Sequence, residues 1–152
     1  ERLERELNRC QREASPMGII IMDIDHFKKV NDNYGHQAGD LVLQELSTTL
    51  VTLCRVYDFI GRYGGEEFIV CLPGADKWNT YQIAERMRSI VENKNILLPD
   101  KGTSVSVTAS FGIVSMEPGQ RKSADRLINE ADEALYRAKD QGRNQVVMYI
   151  SD

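Results

Sequence analysis

Arg62-Tyr63-Gly64-Gly65-Glu66-Glu67-Phe68 is the stretch on which the reading of this chain turns. The residues before it, Asp58 to Tyr63, read as a short strand, and Phe68 to Leu72 is a continuous apolar run of strand length. Two such runs around Gly64-Gly65 predict a hairpin with a two-residue type I′ turn, because both central positions of that turn need φ > 0. Glu66 and Glu67 then follow the turn on a rigid element. Two carboxylates leading into a buried strand are costly unless paired or bound to a cation. A solvated hairpin tip accounts for them in isolation. A second acidic cluster, Asp23-Ile24-Asp25, tips the reading toward chemistry.

That cluster ends the run Met17 to Asp23, a strand apolar on both faces and therefore expected in the centre of a sheet. An amphipathic helix over Glu1 to about Glu13 precedes it and is broken by Ser15-Pro16. After it come a short helix, His26 to Asn33, capped by Asp25, and a long helix, Ala38 to Leu53, with Leu43, Leu46, Leu50 and Leu53 on one stripe. Beyond the hairpin, Asp76 to about Asn93 is a helix. Ser104 to Ser115 alternates as a half-buried strand, or two short ones. Ser123 to Lys139 is a helix that Gly142 is placed to terminate, and Gln145 to Ile150 is a last strand. Strands mixed with helices around one hairpin predict an α+β fold: a mostly antiparallel sheet flanked by helices.

The 152 residues suit one domain spanning 1–152. A net charge of −4 leaves no broad basic surface, which argues against duplex nucleic acid as a partner but permits a small charged ligand held by local cations. The longest apolar stretch near the start, Ile19 to Met22, is too short to span a bilayer, and no membrane contact is expected. Cys10, Cys54 and Cys71 form no C-x-x-C pair, so a reducing, cytoplasmic compartment is expected. The chain starts at Glu1 rather than Met and reads as an N-terminally truncated piece of a longer protein.

If the strands ending in Asp23 and opening at Glu66 are neighbours, their carboxylates meet at one sheet edge and need a divalent cation between them. All-oxygen ligands favour Mg²⁺ or Mn²⁺, and Mg²⁺ is commonly shared with substrate phosphates, which points to a nucleotide. Asp25 reads better as a strand-end cap than as a ligand. Lys139 and Arg143, four apart at the end of the last helix, would share a face and could grip a triphosphate; complementing the helix C-terminus is the plainer reading. Lys28 and Lys29 are similarly ambiguous. Asn31 and Asp40 flank the Gly35-His36 turn, and an amide beside a carboxylate can read a guanine edge.

Met22-Asp23-Ile24-Asp25-His26-Phe27-Lys28-Lys29-Val30-Asn31-Asp32, Tyr34-Gly35-His36, Gly39-Asp40, Arg62 to Phe68, Ser110-Phe111-Gly112-Ile113, Ala131-Asp132, Tyr136, Ala138-Lys139 and Gly142-Arg143-Asn144 follow one another in an order and spacing that resembles the GGDEF domain, the catalytic domain of diguanylate cyclases. The resemblance covers nearly the whole chain. It implies a five-stranded sheet wrapped by helices, similar to adenylyl cyclases and polymerase palms. It implies condensation of two GTP molecules to cyclic di-GMP and two pyrophosphates across a homodimer, with two Mg²⁺ (or Mn²⁺) per active site. Asp23, the backbone carbonyl of Ile24, Glu66 and Glu67 would hold the metals, and Glu66 would activate the hydroxyl. Asn31 and Asp40 would read guanine; Phe27, Lys28, Lys139 and Arg143 would line the phosphates. Arg55-Val56-Tyr57-Asp58 matches the family's R-x-x-D inhibitory product site, with Arg86 as a secondary arginine. A surface ion pair is the alternative for Arg55 and Asp58. The family's T-G-L-x-N-R-R segment ahead of the first helix, which leads in from an upstream sensory or regulatory domain, is absent. Two other readings stand beside the enzyme: a non-catalytic cyclic di-GMP receptor, and a GTP-binding interaction module.

Overall fold

The strand Met17–Ile24 (β1) is buried along its whole length, as a run apolar on both faces requires. In the computed structural model, which describes residues 2–151, β1 is the middle strand of a five-stranded sheet of order β2-β3-β1-β6-β7. Its partners are β3 (Glu67–Pro73) and β6 (Ala109–Met116), both antiparallel. β2 (Phe59–Arg62) and β7 (Val146–Met148) form the edges, and only the β6–β7 pairing is parallel. The sheet is thus five-stranded and mostly antiparallel, as expected.

The period-2 alternation of β1 divides the core in two. Ile20, Met22 and Ile24 face one cluster, with Phe68, Val70, Leu72, Phe111 and Ile113, covered by α2 (Phe27–Tyr34), α3 (His36–Val51) and α4 (Lys77–Glu92). Met17, Ile19 and Ile21 face the other, covered by α1 (Arg2–Arg12) and α5 (Ala124–Asp140). Each fully buried Ile or Leu contributes roughly 1.5–3 kcal/mol. α5 lies hard against β6 because Gly112 has no side chain: a Cβ there would stand 2.1 Å from the Ala131 carbonyl oxygen and 2.2 Å from the Leu135 nitrogen. That close approach sets the height of α5 over the sheet.

Four local expectations are corrected. Neither Gly64 nor Gly65 takes a left-handed φ. The hairpin closes where the Tyr63 N–H donates to the Glu67 carbonyl (2.9 Å), leaving Gly64, Gly65 and Glu66 as a three-residue loop, so the turn is not a two-residue type I′ and Glu66 sits on the loop rather than on the strand. Asp25 does not cap α2, whose N-cap is His26 with no side-chain cap bond. Ser104 to Ser115 is two strands, one of the two readings given above, but the longer of them is not half-buried. The segment divides into β5 (Thr103–Val105), paired with the unforeseen short strand β4 (Ile96–Leu98), and β6, buried at every residue. Finally, α5 ends at Asp140, so Lys139 and Arg143 do not share a helical face; Arg143 lies beyond it with φ 65°.

Candidate active site

The end of β1 is where the acidic residues meet. Asp23 stands opposite Glu67 in the β1–β3 register, and directly paired residues of an antiparallel ladder point to the same face. For Asp23 that is the face of the odd-numbered β1 residues, the side covered by α5. Lys139 reaches down from α5 and donates to Asp23 Oδ2. The Ile24 N–H donates to the Glu66 carbonyl at 3.3 Å, which ties the hairpin loop to the strand end. Asp23, Ile24, Glu66 and Glu67 are therefore gathered at one sheet edge.

Burial raises the Asp23 carboxyl above the ordinary range, against the pull of Lys139. Arg143 also lies close enough for its charge to favour the ionised form of Asp23. Burial, and then the charge of Asp23, raises Glu67. These are two part-buried carboxyls that gain by having a cation between them. Among the described residues, no three His, Cys, Asp or Glu side chains enclose a metal ion; Asp23 is instead held by Lys139. The donor set nevertheless fits Mg²⁺ or Mn²⁺. It is all oxygen, it lies at an open strand end, and the Lys139 ammonium on Asp23 shows that this carboxylate accepts a cation.

Asn31 on α2 and Asp40 on α3 lie on two helices that pack together. Gly39 makes this possible: a Cβ there would stand 1.9 Å from Asn31 Oδ1. Asp40 is exposed and shares a cleft of about 350 Å³ with Gln44, Ser47 and Arg62. Phe27 is buried at the start of α2 and Lys28 beside it is exposed.

Four side chains make contacts that the sequence reading did not give. Asp25 is buried and accepts from Thr108 Oγ1 (2.7 Å), Ser110 Oγ (2.6 Å) and the Asn144 N–H (3.0 Å). Tyr63 donates to Asp132 on α5 (3.3 Å), fastening the hairpin to the helix that carries Lys139. Burial raises the Asp132 carboxyl. Arg62 donates to the Gly65 carbonyl (2.5 Å) and lies over the Phe68 ring. Tyr63 and Asp132 both fall within quoted motifs, and only their pairing was hidden.

Away from this edge, Arg55 Nε and Nη2 donate to both oxygens of Asp58 at 3.0 and 2.9 Å, and the Arg55 N–H adds a bond of 2.8 Å. The Asp58 side chain is only 1% exposed, so this is not the surface pair considered above. Arg86 is exposed on α4, and no hydrogen bond or ion pair among the described residues joins it to Arg55 or Asp58.

Residues 1–145 match the family model described as "Diguanylate cyclase, GGDEF domain". The chain belongs to the GGDEF domain family. It is 40% identical over 146 residues to diguanylate cyclase DgcP of Pseudomonas aeruginosa, covering 96% of this chain and 21% of that protein. It is 39% identical over 142 residues to diguanylate cyclase A of Treponema denticola, covering 93% and 38%. The chain thus spans well under half the length of these curated relatives. Among solved structures, the GGDEF domain of YfiN (TpbB) from P. aeruginosa matches with a TM-score of 0.92 at 32% identity, covering 99% of this chain and 92% of that one. The GGDEF domain of DgcB from Caulobacter crescentus, in complex with c-di-GMP, matches with a TM-score of 0.91 at 30% identity, covering 98% and 84%. The palm-like fold expected for a GGDEF domain is the fold observed.

Proposed function

We propose that this GGDEF domain is the catalytic domain of a diguanylate cyclase that condenses two GTP molecules into cyclic di-GMP and two pyrophosphates. The observation that carries the reading is the pairing of Asp23 with Glu67 at the end of the central strand, beside Glu66 and under Lys139. In this reading the 3′-hydroxyl of each GTP attacks the α-phosphate of the other. A P–O bond to the incoming 3′-oxygen forms, the bond to the β-phosphate breaks, and pyrophosphate leaves. Glu66, on the hairpin loop, takes the proton of the hydroxyl. Asn31 and Asp40 hold the guanine: the carboxylate accepts from the ring N–H and exocyclic amine, and adenine would leave it unpaired. Lys28, Lys139 and Arg143 neutralise the phosphates, and Phe27 lines them. Asp23, the Ile24 carbonyl, Glu66 and Glu67 would hold two Mg²⁺ or Mn²⁺, which supply electrostatic stabilisation of the attacking and leaving oxygens.

Each site holds half of the reactants, so the active unit is a homodimer. An upstream sensory or regulatory domain would bring the two copies together, and GTP as substrate implies a cytoplasmic setting. Among the described residues no helix is long and apolar enough to cross a membrane. Arg55, Asp58 and Arg86 form the inhibitory product site in this reading, because a guanidinium can pair with the O6 and N7 edge of guanine. Incubating a dimerised form with GTP and Mg²⁺ and assaying for cyclic di-GMP tests the proposal, with Asp23→Asn as the inactive control. Product from the wild type alone supports it. Cyclic di-GMP binding without synthesis would make the chain a receptor, and GTP binding without either would make it an interaction module.

A further inference from the structure

The segment after α5 holds three consecutive residues with positive φ: Gly142 (119°), Arg143 (65°) and Asn144 (48°). Glycine adopts this without penalty, but two successive non-glycine residues do so only when their surroundings hold them. The surroundings are specific. The Asn144 N–H donates to Asp25 Oδ2 at 3.0 Å. The Asn144 side chain is gripped on both ends, its Oδ1 accepting from Arg88 Nη1 (3.1 Å) and its Nδ2 donating to Glu92 Oε2 (2.5 Å). Arg88 is itself braced by Glu85 and Glu92 on α4. Asp25 is anchored by Thr108 and Ser110, and its own N–H donates to the Thr108 carbonyl at 2.8 Å. The charge of Arg143, the residue between, reaches Asp23.

We infer that Asp25 and Asn144 form a clasp whose work is to hold Arg143 in its left-handed conformation beside Asp23, so that both are positioning residues for the phosphate end of the nucleotide. Asp25 is therefore neither a metal ligand nor a helix cap. It is a buried acceptor that joins β1, β6 and the chain entering β7. The clasp explains why a carboxylate is buried two residues after Asp23: the cost is met by three donors, one of them the strained backbone. This inference rests on the proposed role of Arg143 at the phosphates.

The test separates phosphate binding from base binding. 3′-Deoxy-GTP lacks the attacking hydroxyl and reports binding without turnover, whereas GMP lacks the two outer phosphates. In the presence of Mg²⁺, Asp25→Ala is expected to bind 3′-deoxy-GTP about ten-fold more weakly while its affinity for GMP is unchanged. Asp25→Asn is expected to recover most of the loss, because an amide can accept from the Asn144 N–H with its oxygen and donate to Ser110 with its nitrogen. If Asp25→Ala does not fold, Asn144→Ala takes its place, since it puts an alanine in a left-handed position and strips the grip of Arg88 and Glu92; the same split is expected. Equal losses for the two nucleotides, no loss for 3′-deoxy-GTP, or an Asp25→Asn protein as weak as Asp25→Ala would overturn the clasp. Arg143→Ala is the reference: if it binds 3′-deoxy-GTP normally, the proposed phosphate role itself fails. If it weakens binding and the clasp variants do not, the clasp alone is wrong.

Discussion

Lys139, one residue before the end of α5, is ion-paired with Asp23 at the end of β1. In the proposed function the same carboxylate is a metal ligand, so in the absence of nucleotide the ammonium and a divalent cation would compete for it. Lys139→Met should therefore bind Mn²⁺ about three- to ten-fold more tightly without nucleotide, the size of a roughly 1 kcal/mol charge interaction at a part-exposed site. The same variant should bind GTP more weakly, because a phosphate partner is gone. Titration by electron paramagnetic resonance measures the first effect and calorimetry the second. Unchanged Mn²⁺ affinity would show that Asp23 is not where the metal binds.

Acid should stabilise the metal-free edge. The Asp23 and Glu67 carboxyls are both raised, mainly by burial. A carboxyl raised on folding contributes stability that is fully present below its unfolded value and lost as pH rises through its folded value. For Asp23 that window opens at about 3.8 and extends upward to the elevated value. In chelator, the melting temperature of Asp23→Asn should accordingly depend less on pH across this window than that of the wild type. Saturating Mg²⁺ should flatten the wild-type profile from the other side, by favouring the ionised forms. Identical pH profiles for wild type and variant in chelator would contradict the assignment.

Gly39→Ala should impair guanine binding without touching the base. The new Cβ would displace Asn31, whose Oδ1 lies 1.9 Å from its ideal position. Loss of one base contact costs on the order of 1–3 kcal/mol, so GTP should bind about ten- to a hundred-fold more weakly. Helix propensity favours the alanine by about 1 kcal/mol, which offsets the packing cost in stability. In an Asn31→Ala background the substitution should have little further effect on GTP, which a double-mutant cycle measures. Additive losses would show that Gly39→Ala does not act through Asn31, and an Asn31→Ala protein that binds GTP normally would remove Asn31 from the site.

Arg55→Ala should do more than relieve product inhibition. Asp58 is buried and takes two of its bonds from the Arg55 guanidinium, so truncation leaves a carboxylate held by one backbone N–H. A loss of about 1–3 kcal/mol in unfolding free energy is expected. Denaturant melts and calorimetry with cyclic di-GMP should change together. Unaltered stability would mean that Asp58 finds another partner, and unaltered product affinity would reject the inhibitory role.

The fold was legible where both faces of an element carried the same message. β1 is apolar on odd and even residues alike, and that alone placed it centrally with Asp23 at its end. The alternation from Ser104 to Ser115 misled because Ser110 and Ser115 are buried for polar reasons, donating to Asp25 and to the Ala75 carbonyl. β4 is three residues long and left no period to detect. That Asp23 and Glu67 meet at the strand end followed from their place on neighbouring strands, but the contacts of Asp25 were not legible. Its partners lie 83, 85 and 119 positions away in sequence, and no local pattern carries such contacts.

The place of β1 in the sheet also dictates an order of assembly. Residues 17–24 form their ladders with 67–73 and 109–116, so the strand bearing Asp23 must wait for most of the chain before both ladders can close, a topology that slows folding. Ile19, Ile21 and Val114 share their core cluster with Leu127, Ala131 and Leu135 of α5. Of the two helices that shield this apolar face, α5 is the one that carries Lys139. A chain cut before α5 would lose the counter-ion of Asp23 together with the share of the second core that Leu127, Ala131 and Leu135 supply.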